Sequence, residues 1–148
     1  MSRISGKNTK PEMLVRKMLF ALGFRYRLHR RDFPGTPDLI LPKYRAVIFI
    51  HGCFWHGHGC HLFVVPKTNR NFWTTKIAGN QRRDAKNSDD LMQIGWRVLT
   101  IWECALRGKG KKPIGVIARE MQSWLIGSSE TDEIPSWKNH RRISPKHQ

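Results

Sequence analysis

Between positions 51 and 61 the chain gathers His51, Cys53, His56, His58, Cys60 and His61, and one more cysteine, Cys104, stands far along the sequence. Cys53, His58, Cys60 and Cys104 are the soft or borderline ligand types that a closed tetrahedral zinc site takes. Their spacing is not that of a standard finger, and the plainer alternative is three unlinked thiols near a histidine run. The three cysteines cannot all pair within one chain, and in a reducing compartment an odd set points to metal rather than to disulfides. Four protein ligands leave no open coordination position, so such a zinc is structural. It would hold the 51–61 loop against the end of the strand that precedes Cys104.

That assignment leaves His51, His56 and His61 over, with Asp38 and Asp84. Asp38 opens one apolar run and His51 closes the next, so a carboxylate and an imidazole can lie side by side across a hairpin. A carboxylate with a backbone carbonyl can hold Mg²⁺ on a phosphate while a neutral histidine deprotonates a water, which together suit hydrolysis. Asp38 reads equally as a turn carboxylate after Pro37. Glu12, three residues after Thr9, is accounted for by a capping box. Asp84 falls on an apolar helix stripe and must find a partner or stay protonated; a histidine of the 51–61 loop is the candidate. Phe54, Trp55, Phe63, Phe72 and Trp73 crowd the same region among Lys67, Arg70, Lys76, Arg82 and Arg83. Phe63 is expected in the core. Phe54 and Trp55 are expected to be exposed, where aromatics beside basic residues can wedge between base pairs and kink a duplex.

The elements that must position these groups follow from periodicity. Thr9 caps a helix whose apolar face is Leu14, Val15, Met18, Leu19 and Leu22, ended by Gly23. Alternation over 24–28 predicts a half-buried strand, and 38–41 and 46–50 predict two more around a Pro42 turn. A long helix is expected over 73–94 with Trp73, Ile77, Asp84 and Leu91 in one stripe, then a strand over 96–102 and a last amphipathic helix over 114–126. The fold class is therefore α/β, a mixed sheet flanked by helices, in a single domain over 1–127. Residues 128–148 turn polar and basic and are expected to form a loose tail.

The chain has 148 residues, with 27 Lys plus Arg against 11 Asp plus Glu, a net charge of +16. An excess of that size self-repels unless a polyanion is the partner, and nucleic acid is the commonest one. An acidic membrane surface is the alternative, but no helix is basic on one face and aromatic on the other. No apolar run approaches the roughly 20 residues that cross a bilayer, and the basic start shows no secretory signal. A cytoplasmic location, at the nucleoid when bound to DNA, is expected.

Residues 6–12, 34–38, 47–56, 72–73, 95–99 and 102–106 together resemble the very-short-patch mismatch repair endonucleases, members of the restriction-endonuclease-like fold group. The likeness covers most of the chain to about residue 126, and its most specific stretch is His51-Gly-Cys-Phe-Trp-His56. The resemblance implies a Mg²⁺-dependent endonuclease that nicks one strand of duplex DNA 5′ to the thymine of a T:G mismatch, a lesion left by deaminated 5-methylcytosine. A functional link to a DNA cytosine methyltransferase follows, and one active site suffices for one nick, so a monomer is expected. By the same resemblance Asp38 and the main-chain carbonyl of Ile50 would bind Mg²⁺, His56 would activate water, Asp84 would orient His56, His51 would assist at the phosphate and Glu12 would hold water on the metal. Cys53, His58, Cys60 and Cys104 would take the structural zinc, and Phe54, Trp55 and Trp73 would form a wedge entered from the major groove.

The chain departs from the pattern in places. Members commonly carry Thr where this chain has Ile50, which keeps the carbonyl and loses a hydroxyl. Members often begin with a further basic segment, and Met1 here matches a methionine that in the family reaches the minor groove, so Met1 reads as an internal start. Two alternatives stay open: a zinc-containing DNA-binding module that recognises distorted DNA without cleaving it, and a nuclease with another mismatch or sequence preference.

Overall fold

The structure is a computed structural model that describes residues 9–137; Met1 lies outside the described residues. The chain runs α1 (Lys10–Ala21), β1 (Arg27–Leu28), β2 (Leu39–Leu41), β3 (Ala46–His51), α2 (Arg70–Gln93), β4 (Arg97–Trp102), α3 (Glu103–Leu106), α4 (Ile114–Ile126) and β5 (Thr131–Ile134). The strands form one mixed sheet in the order β1-β2-β3-β4-β5. The first three pair antiparallel, while β3–β4 and β4–β5 pair parallel. Parallel neighbours need a crossover, and α2 and α4 supply the two crossovers from opposite faces of the sheet.

Period-two alternation in β3 explains both faces. Ala46 and Ile48 join Leu39, Leu41, Leu99 and Ile101 under α1 and α4, whereas Val47 and Phe49 join Ile40 and Val98 under Leu91 of α2. A strand covered on both sides is apolar throughout rather than alternating, as β2 is.

At the start of α1 the Thr9 hydroxyl accepts the Glu12 N–H (3.3 Å) with Pro11 in the first turn, as the capping pattern requires. The strand expected over 24–28 shrinks to Arg27–Leu28. Phe24 is taken by the helix end, where its N–H reaches the Leu19 carbonyl (3.0 Å), and His29 turns left-handed at φ 46°. The long helix starts at Arg70 rather than at residue 73.

The tail expected from residue 128 is corrected over 131–137. Thr131–Ile134 pairs with β4 and buries Ile134, the Trp102 indole N–H donates to Glu133 (2.9 Å), and Ser136 is fully buried. A single buried apolar residue suffices for an edge strand, so the stretch carries almost no periodic signal. Residues 138–148 lie outside the described ones. Among the described residues no helix is long and apolar enough to cross a membrane.

Candidate active site and metal centre

At the ends of β2, β3 and β4 the sheet opens into a cleft of about 870 Å³ whose walls include Asp38, Ile50, His51, His56, Asp84 and Trp55. The antiparallel register Leu39↔Ile48 sets Asp38 near the end of β3, and its carboxylate accepts the Ile50 N–H at 2.7 Å. Burial nevertheless pushes the Asp38 carboxyl up to about 7, against the pull of the Ile50 N–H and with the help of the nearby Glu12 charge. A cation at this position would relieve that penalty. His51 is held neutral, its pKa lowered to about 3 by burial and then by His56 beside it, and its Nδ1 is buried without a hydrogen-bond partner.

The His56 ring stacks on His51 with centroids 3.7 Å apart and planes within 5°. Its Nδ1 lies 2.6 Å from the Asp84 carboxylate, which α2 brings across from the opposite wall. A carboxylate at Nδ1 assigns the proton there and leaves Nε2 as the acceptor for a proton from water. The apolar-stripe acid thus finds a histidine partner, as its position in the helix demands.

One turn earlier on α2, the Asn80 amide donates to the Trp55 carbonyl (2.8 Å) and Gln81 to the Gly57 carbonyl (3.2 Å). These two contacts fasten the loop that carries His56, and sequence reading missed them because polar helix residues ordinarily face solvent.

Glu12 is buried at the N-terminus of α1, and the carboxylate turns inward, 2.9 Å from His29 Nε2. His29 Nε2 is also 4.0 Å from Asp38. Glu12, His29 and Asp38 form a second group of ligand-type atoms within 4.8 Å of one another. His29 escaped the sequence reading because it sits in a basic loop; only the β1–β2 register, continued by one residue, would have placed it opposite Asp38.

Cys53, His58, Cys60 and Cys104 come together with all four ligand atoms within 4.8 Å. His58 Nδ1 is 3.5 Å from both Cys53 Sγ and Cys104 Sγ. Zinc–sulfur and zinc–nitrogen bonds of ordinary length, set at tetrahedral angles, put sulfur and nitrogen about 3.6 Å apart, so the side chains fit such an ion. Among the bare thiols, Cys53 is pushed up by its contact with Cys104 and by burial, Cys60 is pushed up by burial, and Cys104 is lowered by the Cys53 and His58 contacts and by Ser136. Ser136 lies two residues beyond the end of β5. Trp102 forms the partition between the two sites: His58 stacks on one side (4.0 Å, 5°) and the His51 ring meets it edge-on (5.3 Å).

Phe54, Trp55 and Trp73 form one aromatic cluster with centroid distances of 5.1, 5.5 and 5.8 Å. Trp55 is exposed as expected, whereas Phe54, also expected to be exposed, is half-buried among Trp55, Trp73 and Phe63; Phe63, expected in the core, is half-buried against Phe54 (6.2 Å). Phe72, more exposed than Trp55, extends the cluster through Trp73 (5.0 Å).

Comparison with known proteins gives an independent line. The family model described as DNA mismatch endonuclease Vsr matches residues 1–62. The DNA mismatch endonuclease Vsr of Escherichia coli (strain K12) is 39% identical over 140 residues, 95% of this chain and 90% of that protein. The type II nicking enzyme V.NmeAIP of Neisseria meningitidis is 48% identical over 126 residues, covering 85% of this chain and 86% of the relative. The type II nicking enzyme V.XorIIP of Xanthomonas oryzae is 47% identical over 110 residues, 74% of this chain and 81% of the relative.

Proposed function

The chain belongs to the Vsr family of DNA mismatch endonucleases, and we propose that it nicks one strand of a duplex 5′ to the thymine of a T:G mismatch in a Mg²⁺-dependent reaction. The observation that carries the reading is the His56–Asp84 pair (2.6 Å) opening into the same cleft as the largely buried carboxylate Asp38, beside the aromatic cluster. The mixed sheet with helices on both faces is read as restriction-endonuclease-like.

Asp38 and the main-chain carbonyl of Ile50 are the groups that would hold the Mg²⁺. Bound there, the ion supplies charge neutralisation at the phosphate and stabilises negative charge on the leaving oxygen. His56 takes the proton of the attacking water through Nε2, and Asp84 stabilises the imidazolium that results. Neutral His51 hydrogen-bonds the phosphate without adding charge, and Glu12 accepts hydrogen bonds from water beside Asp38. Phe54, Trp55 and Trp73 enter the stack at the mismatch, where unstacking is cheapest. Cys53, His58, Cys60 and Cys104 hold a structural Zn²⁺ that fixes the 51–61 loop. Zinc at about one per chain, and aggregation of Cys104→Ala, are the expected results of metal analysis and expression; a folded, zinc-free preparation would refute the assignment.

The substrate ties the protein to a DNA cytosine methyltransferase whose product deaminates to the mismatch, and one active site per nick fits a monomer acting on DNA in the cytoplasm. The test is a duplex labelled at the 5′ end of the T strand, with T:G in CT(A/T)GG and a matched control, incubated with wild type and Asp38→Ala in Mg²⁺. Nicking 5′ to the mismatched T by wild type alone is expected. Activity retained by Asp38→Ala overturns the metal assignment, and cleavage of other mismatches in a wider panel overturns the specificity.

A further inference from the structure

His29 has no role in the reaction described so far, yet it stands between the two carboxylates that flank the cation position. The β1–β2 register pairs Arg27 with Ile40 and Leu28 with Leu39, and the His29 N–H reaching the Asp38 carbonyl (3.3 Å) extends the ladder by one step. His29 and Asp38 are therefore opposite each other by construction. The imidazole is largely buried, with Nε2 at 2.9 Å from Glu12 and 4.0 Å from Asp38. Its backbone adopts φ 46°, a left-handed conformation that side-chain-bearing residues adopt at a cost. Strain held at one residue between two site carboxylates is the pattern of a group fixed for a function.

We propose that His29 is a positioning residue: its imidazole holds the Glu12 carboxylate beside Asp38, so that the two acids present one preformed site to the cation and the water around it. The inference rests on the Mg²⁺ reading of Asp38. Without the imidazole, Glu12 keeps its place on α1, since Thr9 fixes the backbone there. Its carboxylate keeps the Arg16 guanidinium at 3.5 Å, however, and loses His29, the closer neighbour and the one on the Asp38 side, so the two acids no longer offer their oxygens in one arrangement. Partners of this kind, lying behind a metal's own ligands, typically contribute tenfold to a hundredfold in affinity.

The test measures Mn²⁺ binding by calorimetry, in the presence of an uncleavable phosphorothioate T:G duplex, for wild type, His29→Gly, His29→Gln and Asp38→Asn, with melting temperatures alongside. Glycine tolerates φ 46°, so His29→Gly removes the imidazole while relieving the backbone. Gln can place an amide N–H near the former Nε2. The expected result is at least tenfold weaker Mn²⁺ binding in His29→Gly at an unchanged or raised melting temperature, with most of the loss recovered in His29→Gln. Wild-type Mn²⁺ affinity in His29→Gly, with binding lost in Asp38→Asn, overturns the role of His29 alone. Equal weakening in both His29 variants, accompanied by a lowered melting temperature, also overturns it, because the residue is then structural. Mn²⁺ binding retained in Asp38→Asn overturns the underlying metal reading instead.

Discussion

Asp38 shows how one residue trades stability for a site. Its carboxyl, pushed up to about 7 by burial, ionises in the folded chain about three units above the ordinary aspartate value. A raised carboxyl pKa contributes stability that is fully present below about pH 4 and is lost as pH rises through about 7, a span worth up to about 4 kcal/mol. In Mg²⁺-free buffer the Asp38 contribution therefore falls between about pH 4 and 7. Asp38→Asn should abolish nicking yet melt higher than wild type at pH 8, while Mg²⁺ should raise the wild-type melting temperature more at pH 8 than at pH 5. An Asn variant no more stable than wild type at pH 8 would show that the buried charge costs nothing. His51 works with the opposite sign: its pKa lies at about 3, below that of a free histidine, so its contribution is present above about pH 6.5 and is lost as pH falls toward 3. Across the cleft, His56→Ala should lower the single-turnover nicking rate by 10²-fold to 10⁴-fold, the range for a general base, and Asp84→Asn by roughly tenfold to a hundredfold. Mismatch affinity should stay near wild type in both. A rate unaffected by Asp84→Asn would leave the 2.6 Å contact without a chemical role.

At the scale of elements, the 51–61 loop is held from two sides, by α2 and by the end of β4. Gly57 is the tightest point of the α2 contact: its φ is +62°, and an added Cβ would lie 2.7 Å from the Ile77 side chain and closer still to the Gln81 amide. Gly57→Ala should therefore lower stability by about 1–3 kcal/mol from the strained backbone alone and reduce nicking, since the loop must lift His56 away from Asp84 to make room. Unchanged activity with normal stability would mean that the loop adapts without moving the histidine. How far this arrangement was legible beforehand depends on where each residue sits. Asp84 was readable because an acid on an apolar stripe demands a partner, and the cysteine-histidine set was readable from residue type alone. Asn80 and Gln81 were not, because nothing in a polar helix face distinguishes a residue that grips a loop from one that meets water. β5 was hidden for a related reason: with Ile134 as its one buried apolar residue, the alternation that betrays a strand is missing, although Glu133 and Ser136 reach Trp102 and Cys104. The register of β1 against β2, which alone places His29, is likewise set by two pairs of residues and not by any pattern in the sequence.

For the molecule as a whole, the proposed reading divides the work of recognition between the net charge of +16 and the aromatic cluster. Arg70, Lys76, Arg82 and Arg83 are among the basic side chains exposed on α2, and contacts from them to duplex phosphates would carry no information about a mismatch. Their contribution is release of counterions, so log Kd should rise with log salt at a slope of roughly 0.9 per phosphate contact, alike for matched and mismatched DNA. On the proposed reading, insertion of Trp55 and its neighbours would replace base stacking by aromatic stacking and would release no ions. It is favoured where the pair is already weak. The ratio of matched to mismatched Kd should therefore stay nearly constant from 50 to 200 mM salt while both affinities fall by orders of magnitude. Trp55→Ala should collapse that ratio and leave the slope unchanged, and Arg82→Ala with Arg83→Ala should reduce the slope by up to about 2 and leave the ratio unchanged. Fluorescence anisotropy on the two duplexes across a salt series separates these effects. A ratio that shrinks steadily with salt would mean that the mismatch is read through additional phosphate contacts on a kinked backbone, and the aromatic cluster would then serve to hold a bend that the basic face selects.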